Sequence, residues 1–152
     1  MANQLDIIGA AGKKPYYDFI DLSEFRPELT GKVRVRVNPS RAIRKRLEVA
    51  QKEREALVAE RAKPEGERAP DLVAREETLG QEFNAIAAAL IPQSDTDDAP
   101  ITVEQLDAFL EGGEDTDDTL QRWFLQEVFT KVYAYFLSPL TLRNKLTPGK
   151  TP

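Results

Sequence analysis

Apolar residues along Leu120–Leu137, LQRWFLQEVFTKVYAYFL, recur at helical spacing on two neighbouring lines. Leu120, Phe124, Val128 and Tyr135 form one stripe; Leu125, Phe129, Val132 and Phe136 form a second beside it. Spacings of three, four and seven predict a helix whose apolar arc is wider than one packing partner covers. Asp118 stands where a cap is needed, with Gln121 at the third helical position, and Pro139 ends the helix because the residue before a proline avoids helical angles. A helix this greasy is a central core element or an interaction surface.

The rest of the chain arranges itself around it. Residues 1–14 carry Gly9, Gly12 and small alanines and read as a mobile N-terminus, in which Leu5–Ile8 can add a short strand. Tyr16–Phe25 alternates in part, with Tyr17, Phe19 and Leu22 on the apolar positions. A turn over Arg26–Gly31 leads into Lys32–Val37, where Val33, Val35 and Val37 alternate strictly with Lys32, Arg34 and Arg36. That is a strand with one buried and one cationic face, and the two segments predict a small antiparallel ribbon that needs a helix to cover its valines.

Asn38-Pro39-Ser40 predicts a helix start, with Asn38 as cap and the proline in the first turn. The helix runs to about Lys63 with a stripe of Ile43, Leu47, Ala50, Leu57 and Val58, interrupted by Arg54. Pro64-Glu65-Gly66 breaks it. A second helix, from Pro70-Asp71 to about Ile91, places Leu72, Leu79, Phe83, Ile86 and Leu90 on one face, and the pair predicts an antiparallel hairpin. After an acidic loop over Pro92–Pro100, Thr102 with Gln105 makes a capping box and Ile101 with Leu106 a hydrophobic staple. The short helix Val103–Glu111 ends at Gly112-Gly113. The expected fold is mainly α: a helical hairpin and a C-terminal aromatic helix, with a small N-terminal antiparallel β-ribbon. A single domain spans residues 15–138, followed by a loose tail over 139–152.

Composition narrows the chemistry. The chain of 152 residues has no Cys, hence no disulfide or thiolate site, and no His, the commonest metal ligand and general base. Neither a signal peptide nor an apolar run near the ~20 residues of a membrane span appears, so the expected location is cytoplasmic. The net charge of −5 hides a division: Lys32–Lys63 holds eleven Lys or Arg against four Glu, whereas Glu76–Gln121 holds no basic residue.

The clusters Asp95/Asp97/Asp98 and Glu114/Asp115/Asp117/Asp118 suggest calcium, but a loop starting at Asp95 has Pro100 and Leu106 where an EF-hand needs Gly and Glu. A loop starting at Asp115 has Leu120 and Gln126 there. Both clusters therefore read as solvated linkers that favour the helix starts after them, and no metal or cofactor is expected. No phosphate loop, nucleophile elbow or kinase signature appears, and no catalytic residue is assigned. The Lys32–Arg46 zone, with Tyr16, Tyr17 and Phe19, can track phosphates and stack on bases, or it can be the wet face of a strand and a helix. In the aromatic helix, Trp123, Phe124, Val128, Tyr133 and Tyr135 are the candidate partner-binding residues.

One resemblance joins these pieces. The aromatic-acidic segment Tyr17–Phe25, the strand Lys32–Val37, the helix start at Pro39-Ser40 and the acidic, aromatic C-terminal part follow one another in an order that resembles the tail assembly chaperones of long, flexible-tailed bacteriophages. The resemblance implies a non-enzymatic factor made in the host bacterial cytoplasm. It would bind the tape measure protein, recruit tail tube subunits, and be absent from the finished virion. Two alternatives stand beside it: a nucleic-acid-binding accessory protein using Lys32–Arg46, and a structural head–tail connector subunit, which would form stable rings; the chain can also be a homo-oligomer under the leading reading.

Overall fold

A computed structural model describes residues 3–137 of the chain. Its elements are α1 (Gln4–Gly12), β1 (Tyr17–Asp21), β2 (Lys32–Arg36), α2 (Arg41–Arg61), α3 (Leu72–Leu90), α4 (Val103–Glu111) and α5 (Thr119–Leu137). The fold is mainly α with one two-stranded antiparallel sheet, as the periodicities predict. The expected tail over residues 139–152 lies outside the described residues.

The N-terminal segment departs from the strand expected at Leu5–Ile8. It is the helix α1, started by a capping box in which the Asn3 side chain accepts from Asp6 N and the Asp6 carboxylate accepts from Asn3 N. The Asn-x-x-Asp spacing satisfies two amides that a strand would leave to solvent.

In the ribbon, Val33 and Val35 face inward as expected, but β1 is turned over relative to the sequence reading. Asp18 pairs with Val35 and Ile20 with Val33, so these two point into the core, while Tyr17 and Phe19 lie opposite Arg36 and Arg34 on the outer face. Opposed residues of an antiparallel pair share a face, so the valines of β2 decide which side of β1 is buried. The Tyr17 ring finds a cationic partner instead, with the Arg34 guanidinium 4.5 Å from its centroid, and Phe19 is half-exposed. Gly31, at φ +130°, makes the turn between the strands, where its carbonyl accepts from Leu22 N.

Asn38 does not cap α2. Its side chain ties the start of the ribbon down, accepting from Tyr16 N and donating to Lys14 O, both at 2.7 Å. Ser40 is the cap, accepting from Ile43 N, and Pro39 stands just before it. Helices α2 and α3 form the expected hairpin. Arg46–Glu82, Glu53–Arg75 and Arg61–Glu76 pair across it, and the Glu60 carboxylate accepts from Ala69 N in the connection. Leu47, Ala50, Ile86 and Leu90 join the core, whereas Leu57 and Leu72 are buried farther out along the hairpin.

Helix α4 begins with the Thr102–Gln105 capping box and stops at Gly112, whose φ of +58° only glycine adopts freely at that ψ. Helix α5 touches β1, β2, α3 and α4. Phe124, Val128 and Val132 are buried on it, and Arg122, Gln126, Thr130 and Ala134 form an exposed line at every fourth residue. The wide apolar arc thus serves the core. Each such aliphatic side chain contributes about 1.5–3 kcal/mol when fully buried.

The acidic connectors are not simply solvated. Arg34 donates to Ser94 O at 2.7 Å and pairs with Asp98 at 2.8 Å, and Arg26 pairs with Asp117 at 3.3 Å. The acidic half therefore clasps the basic ribbon. At the start of α5 the Asp118 carboxylate pairs with Arg122 at 2.8 Å, and Asp117 accepts from Thr119 N at 3.0 Å.

These carboxylates set the response to acid. Hydrogen bonds from the Thr119 hydroxyl and amide, with Arg26 behind them, hold Asp117 below the usual carboxylate range. Arg61 does the same for Glu76, and Lys63 with the Ala69 amide for Glu60. Folded-state values below the unfolded ones mean stability that is complete above the ordinary range and is lost as pH falls through the lowered values. The melting temperature is expected to be level from about pH 7 to 5 and to fall below about pH 4. A melting temperature that rises on acidification would contradict that sign.

Candidate protein-binding surface

Of the residues expected to bind a partner, Phe124 and Val128 are core residues. The Phe124 ring stands edge-on to Phe109 with centroids 5.8 Å apart, and Val128 has no exposed surface. Trp123 is half-buried against Phe25, 5.3 Å between centroids. Tyr133 donates its hydroxyl to Gln51 Oε1 at 3.1 Å, and burial pushes its phenol up. Tyr135 is half-buried beside Phe136 and lines a 300 Å³ hollow with Tyr16, Asn38 and Arg44. The five residues do not make one surface. Phe124, Val128 and Tyr135 share one stripe of α5, whereas Trp123 and Tyr133 lie off it, against Phe25 and Gln51.

Open apolar surface lies elsewhere, on α1 and on the hairpin. Val49, Val58 and Val73 are 69%, 63% and 62% exposed. On one side of the hairpin, Val49, Ala74, Thr78 and Leu79 line a groove of about 620 Å³, edged by Lys45, Arg46, Glu53, Asp71, Arg75 and Glu82. On the opposite side, Leu57, Val58 and Leu79 line a smaller hollow of about 240 Å³ with Arg54, Arg61 and Glu76 at its edge. Two antiparallel helices bury one stripe each against the other, and residues one position off the stripe flank the seam on both sides. Val58 was legible as part of a stripe. Val49 and Val73 were not, because each stands one position off the stripe, beside Ala50 and Leu72.

The cationic zone is largely engaged within the molecule. Arg34 is held by Asp98 and Ser94 O, Arg36 donates to Asn38 O at 3.0 Å, Arg44 pairs with Glu48, and Arg46 pairs with Glu82. Among the described residues no group of three His, Cys, Asp or Glu is placed to hold a metal ion, and no helix is long and apolar enough to cross a membrane.

The class the geometry defines is a mainly α chain with a two-stranded ribbon and a charged hairpin that exposes three valines. No protein-family model matches the chain, and neither the curated proteins nor the solved structures contain a significant match to it.

Proposed function

We propose that the chain is a non-enzymatic assembly factor of the phage tail chaperone kind, acting in the host bacterial cytoplasm and binding the tape measure protein while tail tube subunits gather round it. The observation that carries the reading is the hairpin, which keeps Val58 and Val73 in solvent although the core beneath is closed. A long helical scaffold protein exposes apolar stripes before its tube assembles. A helix lying along Leu57, Val58 and Leu79 would bury such a stripe, with Arg54, Arg61 and Glu76 at the edges to orient it. The nucleic-acid alternative is less well supported, because Arg34, Arg36 and Arg46 already serve acceptors of the chain itself.

The test is affinity capture with the tagged chain from phage-infected lysate, with and without nuclease, read by mass spectrometry. The expected result is retention of one very long helical protein together with tail tube subunits, unaffected by nuclease. Val58→Asp is expected to lower that retention at least about tenfold, since it asks the contact to bury a carboxylate, and to leave the melting temperature nearly unchanged. Capture that disappears with nuclease would overturn the reading in favour of the basic zone.

A further inference from the structure

Helix α1 is nine residues long and exposed along its whole length, with Leu5 and Ile8 at 76% and 66%. Leu5, Ile8 and Gly12 lie on one face at helical spacing, with Gly9 beside them. A helix this short is marginal in water by itself, where stability needs about 12–15 residues even in favourable sequences. Its apolar face therefore calls for a surface to rest on. The hairpin offers one in the groove lined by Val49, Ala74 and Leu79.

Charge selects the direction in which α1 fits. Arg46, Glu53, Arg75 and Glu82 at the groove edges neutralise one another in pairs. Lys45 at one end and Asp71 at the other have no ion-pair partner among the described residues. Asp71 stands about one turn beyond Arg75, which faces Glu53, so the two free charges are about 17 Å apart along the groove. Asp6 on α1 and Lys13 at its C-cap lie on one side of the apolar face about two turns apart, a rise of about 11 Å that the lysine stems extend to that span. Laid parallel to α2, α1 brings Asp6 to Lys45 and Lys13 to Asp71.

The same orientation rules out the chain's own groove. Tyr16 N and Lys14 O are both bound by the Asn38 side chain just before α2. Lys13 is thereby kept within about 4 Å of Lys14, while the Asp71 end lies about 24 Å along α2. Reversing α1 so that it reaches its own groove sets Lys13 and Lys14 against Lys45 and Arg46. We infer that α1 docks in the α2–α3 groove of a second copy of this chain, and that the exchange is reciprocal, giving a two-fold dimer. An isologous pairing of this kind uses each groove and each helix once and closes on itself. The opposite side of the hairpin, with Val58, stays open for the proposed client.

The experiment uses the full chain in sedimentation equilibrium. The expected mass is twice the 17.1 kDa of one chain. Ile8→Lys is expected to weaken the dimer more than about a hundredfold by forcing an ammonium against the valine, with the thermal transition of the core retained because Ile8 touches none of it. Asp71→Lys and Lys13→Glu are each expected to weaken association roughly fivefold, and the two together to restore it. Because the chain has no cysteine, Ile8→Cys combined with Val49→Cys reports the contact directly, and oxidation should give a disulfide between chains. A monomer at all concentrations, a disulfide within one chain, or a dimer indifferent to Ile8→Lys would each overturn the inference.

Discussion

Phe124→Ala is expected to destabilise the protein by about 3–5 kcal/mol, the usual cost of removing a buried aromatic ring. Against a total of roughly 5–15 kcal/mol for a domain, that is a large share of the whole. The ring bridges α5 and α4 through its edge-on contact with Phe109, 5.8 Å between centroids, and such a pair carries about 0.5–1.5 kcal/mol beyond burial. Helix α4 lies against that ring, and its capping box and Gly112 stop hold its ends in place. The melting temperature should fall by roughly 10 °C, taking about 2–4 °C for each kcal/mol in a chain of this size. Thermal and urea unfolding would measure it. A variant that melts like the parent but loses client capture would return Phe124 to the partner surface and refute its role as a core residue.

The second large effect concerns Asp18. Its carboxylate points into the core side of the ribbon, where it accepts from Phe19 N at 2.8 Å and faces Lys131 Nζ of α5 at 3.9 Å. Lys131→Met removes the cation, keeps the length of the side chain and leaves a mostly buried charge with a single hydrogen bond. Breaking a fully buried pair costs about 3–5 kcal/mol; here both groups retain some contact with water and the separation is long, so about 1–3 kcal/mol is expected. Adding Asp18→Val should bring back part of the lost stability, because two apolar groups then replace two charges and only the Phe19 amide loses its acceptor. Urea unfolding of the two single variants and the double variant completes the cycle. If Lys131→Met is neutral, water reaches Asp18 and the ribbon is not sealed by α5.

These residues show how far a linear reading reaches. The aromatic helix was legible to within a residue or two because its apolar arc repeats over five turns. Thr102 with Gln105, Gly112 and the hairpin stripes were legible for the same reason: each is a local pattern whose partners lie within one or two turns. At β1 the local signal pointed the wrong way. Tyr17 and Phe19 outweigh Ile20 in apolar content, yet the register with β2 buries Asp18 and Ile20 and turns both rings outward, Tyr17 onto the Arg34 guanidinium. Asn38 looked like a cap because Asn before Pro-Ser is a good one; a backbone segment more than twenty residues upstream competes for the same side chain and wins. The overlooked N-terminal helix had a readable sign in Asn3 and Asp6, outweighed by an aliphatic run that also suits a strand.

The candidate surface divides in the same way. Apolar breadth in α5 was visible, but whether that breadth meets a partner or the chain's own core depends on how many elements converge on it. Here β1, β2, α3 and α4 all do, so much of the apolar arc of α5 goes to the core, while valines of the charged hairpin and the aliphatic residues of α1 are left in solvent. By itself the sequence determined helices α2 to α5, the capping box and glycine stop of α4, the valine face of β2 and the division of charge, because these follow from hydrogen bonds and side-chain spacing within a few residues. Only the tertiary structure decided which faces meet, that the acidic connectors grip the basic ribbon, and which apolar groups remain uncovered. Those outcomes rest on contacts between segments tens of residues apart, whose register and competition no local period encodes.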